Sequence, residues 1–175
     1  VSLGTFLSAR IDVLARIAAA LRSVDVRVAM AIGDNDPAAL GEVPPDWLVR
    51  PSLAQVTLLE RASVLVTHGG NNSVTEALTH GVPMLVMPFS TDQFDGAAAV
   101  ERNLAGVALD PNDAPRPLIA GAVRGLLRNP PPLPGELGAR LRANPGPEVA
   151  FAAMSTLPDL RTILPDPRER IPVRS

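Results

Sequence analysis

The sequence predicts an α/β domain built on a doubly wound parallel sheet. Three observations carry that expectation. Short apolar runs recur between helical patterns along most of the chain, the order that parallel sheets with crossover helices require. Two of these runs, Val64-Leu65-Val66 and Met84 to Met87, lead directly into polar, glycine- or proline-marked turns. Each turn opens a helix, so polar residues gather at strand ends, where open α/β sheets bind ligands.

Taken in order, Val1-Ser2-Leu3-Gly4-Thr5 reads as a buried strand running into a glycine turn. Ile11, Leu14, Ala15, Ala18 and Leu21 fall at helical spacing, with Ser8 as the expected N-cap. Asp25 to Ile32 is expected as the second strand and Trp47-Leu48-Val49 as the third, with Trp47 in the core. Val56 to Arg61 reads as a short helix and Ser63 to Thr67 as the next strand. Ala97 to Val100 lies in a helix ending near Gly106, and Val107 to Leu109 forms a last strand. An amphipathic helix over Pro117 to Arg128 is broken by Asn129-Pro130-Pro131-Pro132. Two shorter helices, Gly135 to Ala143 and Pro147 to Leu157, are expected next. The segment 158–175, with its prolines and mixed charge, reads as a tail or linker.

Composition narrows the function. The chain has 175 residues, 46% hydrophobic, enough for one domain with a core. A net charge of −2 gives no basic footprint for nucleic acid. Without cysteine there are neither disulfides nor thiolate metal sites. No apolar run is long enough for a membrane span, and no signal peptide is visible, which points to the cytoplasm. All 16 basic residues are arginine, which with abundant Ala and Pro suggests a GC-rich bacterial genome. The start at Val1, inside an expected core strand, suggests a fragment.

The stretch from Thr67 to Gln93 concentrates the polar chemistry. Gly69 and Gly70 after His68 permit a tight turn and leave backbone N–H groups uncovered. Asn72-Ser73 then opens a helix, whose free N–H groups and dipole favour phosphate. Glu76 follows one turn on, His80 sits at the helix end as a capping residue, and Gly81-Val82-Pro83 breaks the helix before the strand that delivers Asp92-Gln93. Asp34-Asn35-Asp36 mimics a metal-binding Asp-x-Asp, but its turn-forming neighbours favour a structural role, and no metal site is expected.

His68-Gly69-Gly70, Asn72-Ser73, Glu76, Gly81-Val82-Pro83, Pro88 and Asp92-Gln93, with these spacings, resemble the nucleotide-sugar signature of the family-one glycosyltransferases. That family has the GT-B fold, and looser resemblance over 1–157 covers its donor-binding half. The resemblance implies a donor substrate, a UDP-sugar or dTDP-sugar, and no cofactor. It implies diphosphate contacts from His68, Gly69, Gly70, Asn72, Ser73 and Thr5, a ribose contact from Glu76, and hexose contacts from Asp92 and Gln93. Asp92 also suits an ordinary helix cap. The family's base-stacking tryptophan aligns nearest Ser52, and the base edge falls to backbone near Gln55. Gly96 stands where the family usually has Asn.

The acceptor base of the family lies in the other half, so no catalytic base is expected here. The chain should therefore need an acceptor-binding domain or partner subunit and be inactive in transfer alone. Natural-product acceptors, as in antibiotic biosynthesis, follow from the resemblance. Half of a GT-B-fold epimerase and a non-catalytic binding module are the alternatives; Asp92-Gln93 disfavours the first.

Overall fold

The computed structural model describes residues 1–4 and 10–143. The compact unit of the chain is Val1–Ala139, and a second unit comprises Arg140–Ser175. Thr5, Ser8, the expected helix over Pro147 to Leu157 and the expected tail from Pro158 lie outside the described residues.

Elements alternate as expected. After α1 (Ile11–Leu21) come β1 (Ala29–Ala31), a 3₁₀ turn (Pro37–Leu40), β2 (Leu48–Arg50) and α2 (Gln55–Leu59). Then follow β3 (Leu65–Thr67), α3 (Asn71–Thr79), β4 (Met84–Val86), α4 (Thr91–Arg102), β5 (Gly106–Ala108), α5 (Arg116–Arg128) and α6 (Leu133–Ala143). The hydrogen-bonded strands are three residues each, shorter than the apolar runs that announce them. Asp25 to Arg27, for example, precedes β1 without pairing in it, and Val28 contributes only its carbonyl, which accepts from Leu48 N.

All strand pairs are parallel, β1 with β2 and β3 with β4 with β5. The first residues join these two ribbons. Val1 N donates to Ala29 O and Ala31 N donates to Val1 O on one side; Ser2 N donates to Val66 O on the other. Ser2 also bridges in parallel to Thr67. Counting Val1–Leu3 as the first strand, the spatial order is third, second, first, fourth, fifth, sixth, that of a Rossmann-like doubly wound sheet.

The side-chain period of two sorts the strands onto two cores. Val66, Leu85 and Met87 face one side with Leu3, Met30 and Ile32, where α1 and α5 pack together through Leu14, Ile17, Ile119 and Val123. Leu65, Met84 and Val86 face the other, against Leu59, Ala77, Ala97 and Val100. β3 and β4 are therefore buried on both faces, which is why they read as unbroken apolar runs. Trp47 packs beside the first cluster, as expected for a core residue. On the opposite face of β1 the small Ala29 and Ala31 line an open cavity of about 690 Å³.

The Asp34-Asn35-Asp36 segment is explained by its turn. Asp36 caps the 3₁₀ helix by accepting from Ala38 N at 2.9 Å, and Asn35 donates to Ile32 O. Among the described residues, no group of three or more His, Asp or Glu side chains is arranged to hold a metal ion. No described helix is long and apolar enough to cross a membrane.

Candidate functional site

The strand order reverses at the first strand, whose neighbours β1 and β3 continue to opposite sides. In open α/β sheets ligands bind at such a reversal, here beside the ends of the first strand and its neighbour β3. Gly4 and His68 stand at these two ends. The His68 ring lies across Gly4 and Gly70 so closely that a Cβ on either glycine would press into it; at Gly4 the gap would be 2.9 Å. Gly4 has φ +79° and Gly69 φ +87°, the left-handed region that a side chain disfavours. The glycines thus serve two ends, the turn itself and the seat of the imidazole.

α3 begins at Asn71, one residue before the expected start, with Gly70 at the N-cap. No side chain caps it, so the N–H groups of its first turn remain available to an anion, with the positive end of the dipole behind them. Asn72 is exposed in this turn, whereas Ser73 is buried. At the far end His80 occupies the C-cap and its backbone N–H donates to Glu76 O.

Ser73 and Glu76 share one partner. Gln55 Nε2 donates to Ser73 Oγ at 3.1 Å and to Glu76 Oε2 at 2.7 Å. Nothing in the sequence pattern joins these residues, which come from α2 and α3. The Gln55 side chain is turned to this pair, leaving only backbone near it for the base edge expected there.

His68 is half-buried, and burial pushes its pKa below the ordinary value. The negative charge of Asp92 and a hydrogen bond to the Ser2 backbone oppose that shift without overcoming it. Asp92 is thus within electrostatic reach of the histidine. It is exposed in the first turn of α4, but it is not the cap: Ser90 holds that position. Gln93 points inward. It is 8% exposed, and its Oε1 accepts from Phe89 N at 2.9 Å, tying the turn before α4 to the helix. A second cavity, about 510 Å³, opens between α3 and α4 beside Asp92, lined also by Asn71, Asp95, Val74 and Val100.

Gly96, anomalous in the sequence, has a steric reason. A Cβ there would lie 2.6 Å from Gly69 O, so α4 approaches the His68-Gly69-Gly70 turn backbone to backbone. Its position in a helix interior was the available signal, since glycine is costly there without a packing reason.

A doubly wound parallel sheet with an uncapped helix N-terminus at its switch point belongs to the class of nucleotide-binding α/β domains. Comparison with known proteins narrows this. The model of the family of UDP-glucoronosyl and UDP-glucosyl transferases matches residues 1–131, and the chain belongs to that family. Relatives include an uncharacterized UDP-glucosyltransferase, YojK, of Bacillus subtilis, 30% identical over 130 residues that cover 74% of this chain and 32% of that one. The glycotransferase of kitacinnamycin superposes with a TM-score of 0.77 at 30% identity, covering 89% of this chain and 42% of that one. The calicheamicin glycosyltransferase CalG4 gives 0.78 at 27% identity, covering 88% and 40%. The fold is accordingly one half of a GT-B glycosyltransferase. The chain spans about a third of the length of its two Bacillus subtilis relatives YojK and YdhE.

Proposed function

We propose that this chain binds the donor of a sugar-transfer reaction, a nucleoside-diphosphate sugar, in the crevice between Gly4, His68 and α3. The observation that carries the reading is the meeting of His68, the uncapped start of α3 and Asp92 at the switch point of the sheet. Family membership supports it.

In this reading the diphosphate lies against Gly69, Gly70 and the first turn of α3, with Asn72, Ser73 and His68 as side-chain donors and Thr5 added by the family resemblance alone. Glu76 takes the ribose, as a carboxylate accepts hydroxyl donors. Asp92 takes the hexose, and Gln93 assists through what its structural bond to Phe89 leaves. When an acceptor hydroxyl attacks the anomeric carbon, the bond from that carbon to the diphosphate oxygen breaks. Donors fixed beforehand on the departing diphosphate stabilise its growing charge. The acceptor proton goes to a base on an acceptor-binding domain or partner subunit, so this chain alone does not transfer sugar. A natural-product acceptor and a cytoplasmic setting belong to the same proposal.

Calorimetric titration with UDP and dTDP, each free and carrying glucose, tests this and chooses the base. One nucleotide should bind, and its sugar conjugate should bind tighter than the free diphosphate. No binding of any of the four at millimolar concentration sinks the proposal.

A further inference from the structure

Arg10, at the N-cap of α1, makes more contacts than the start of that helix requires. Its Nε donates to Asp12 Oδ1 at 2.9 Å and its Nη2 to Asp12 Oδ2 at 2.8 Å, the two-pronged grip that fits a guanidinium to a carboxylate. The same Nη2 donates to Asn112 Oδ1 at 3.0 Å, in the turn after β5. That turn is itself secured, because Arg16 donates to the backbone oxygens of Pro111 and Asn112. Three hydrogen bonds on two anchors therefore set the plane of the Arg10 guanidinium and leave its face for an aromatic ring. Its Cζ lies over the ring of Phe89, 5.4 Å from the centroid, within cation–π range. The hydrogen bond from Arg10 holds the Asp12 carboxyl down to a pKa of about 2, so the grip persists at any ordinary pH.

Phe89 opens the turn that leads from β4 to Asp92. Its backbone N–H donates to Gln93 Oε1, and its half-buried ring packs against the core under α1 and α5. The turn is thus held at two points, by Gln93 and by Arg10. Asp92 lies between Phe89 and Gln93 in the chain and is exposed, so its aim depends on how the turn is held. Resting on the donor reading above, we propose that Arg10 is a positioning residue for the sugar: through Phe89 it holds the 88–92 turn so that the Asp92 carboxylate meets the hexose. In this role it touches neither the nucleotide nor the sugar.

The test reads the sugar increment by calorimetry on the full chain. This is the ratio of dissociation constants of the free nucleoside diphosphate and its glucose conjugate, with UDP or dTDP, whichever binds. Arg10→Leu should shrink the increment about two- to fivefold, the worth of an exposed cation–π contact, and leave affinity for the free diphosphate unchanged. Arg10→Lys keeps the charge but not the two-pronged grip, so it should fall with Arg10→Leu. Phe89→Leu should lower the increment to a similar extent. In an Asp92→Ala background, Arg10→Leu should change the increment no further, because the two act through one contact. Thermal unfolding is followed alongside, and where Arg10→Leu fails to fold, Arg10→Lys and Phe89→Leu carry the same test. Equal weakening of free diphosphate and conjugate would make Arg10 a charge acting on the phosphates and overturn the proposal. So would an increment that survives Arg10→Leu, or effects of Arg10→Leu and Asp92→Ala that simply add. In each of those outcomes the donor site stands. A wild type that binds no nucleotide, or binds it without a sugar increment, instead removes the donor reading of Asp92 and the role of Arg10 with it.

Discussion

Replacing Gly96 by alanine sets two effects of known sign against each other. Alanine in a helix interior is worth about 1 kcal/mol over glycine, so propensity alone predicts stabilisation. The new Cβ, however, would stand 2.6 Å from Gly69 O, a contact with backbone that no side-chain rotation can relieve. α4 or the 68–70 turn must move by about half an ångström or more, and overpacking of this kind costs about 1–3 kcal/mol. The net expectation is destabilisation of about 1 kcal/mol, or about 2–4 °C in melting temperature for a chain of this size. The displaced turn carries His68, so nucleotide affinity should fall as well. Gly121 and Gly125 provide the control. Both lie in α5, and a Cβ at either meets nothing within 4 Å. Gly121→Ala and Gly125→Ala should each stabilise by about 0.5–1 kcal/mol in urea melts. If Gly96→Ala stabilises as they do and leaves nucleotide binding unchanged, the backbone contact between α4 and the turn is not as described.

Two further expectations concern the charged groups. Glu76→Ala should weaken free nucleoside diphosphate and nucleotide-sugar alike, about ten- to a hundredfold, whereas Asp92→Ala should weaken only the nucleotide-sugar. Because Ser90 and not Asp92 holds the cap position, Asp92→Ala should cost only the helix-dipole share of stability, about 0.3–1 kcal/mol; a larger loss on melting would mean it anchors the turn. For His68, whose pKa is lowered by burial, the unfolded chain binds the proton more readily than the folded one. Stability should therefore rise with pH up to about the ordinary histidine value near 6.5 and then level off on this account. His68→Gln should flatten that rise in denaturation midpoints measured between pH 5 and 7.5, and an unchanged slope would assign it to other groups.

Local signals carried most of the fold. Strand–helix alternation, the doubled glycine after His68 and the proline break after Arg128 each act within a few residues, so a reader of the chain can see them. What escaped depends on pairs far apart in sequence. Gln55 meets Ser73 and Glu76 across separations of 18 and 21 residues, and no periodicity encodes that meeting. Gly96 looked unexplained because its reason, the Gly69 carbonyl, lies on another turn. The resemblance gives Asp92 and Gln93 one shared role, whereas neighbours on a helix start point in different directions. Asp92 faces out and Gln93 faces in. The strands came out shorter than their apolar runs because burial extends beyond the ladder of hydrogen bonds.

The central place of Val1–Leu3 has a kinetic consequence. Those residues find their partners at 29–31 on one side and 65–67 on the other, so neither ribbon is finished until a strand remote from both is inserted between them. Closing the second of these contacts joins segments some sixty residues apart and must meet its loop entropy before any apolar burial rewards it. Until then, β1 and β3 each present a bare parallel edge, the kind of surface on which another chain can add. The vulnerable species is therefore the half-assembled sheet. Dilution, or whatever hastens that single insertion, should decide the yield of native molecules more than the final stability does.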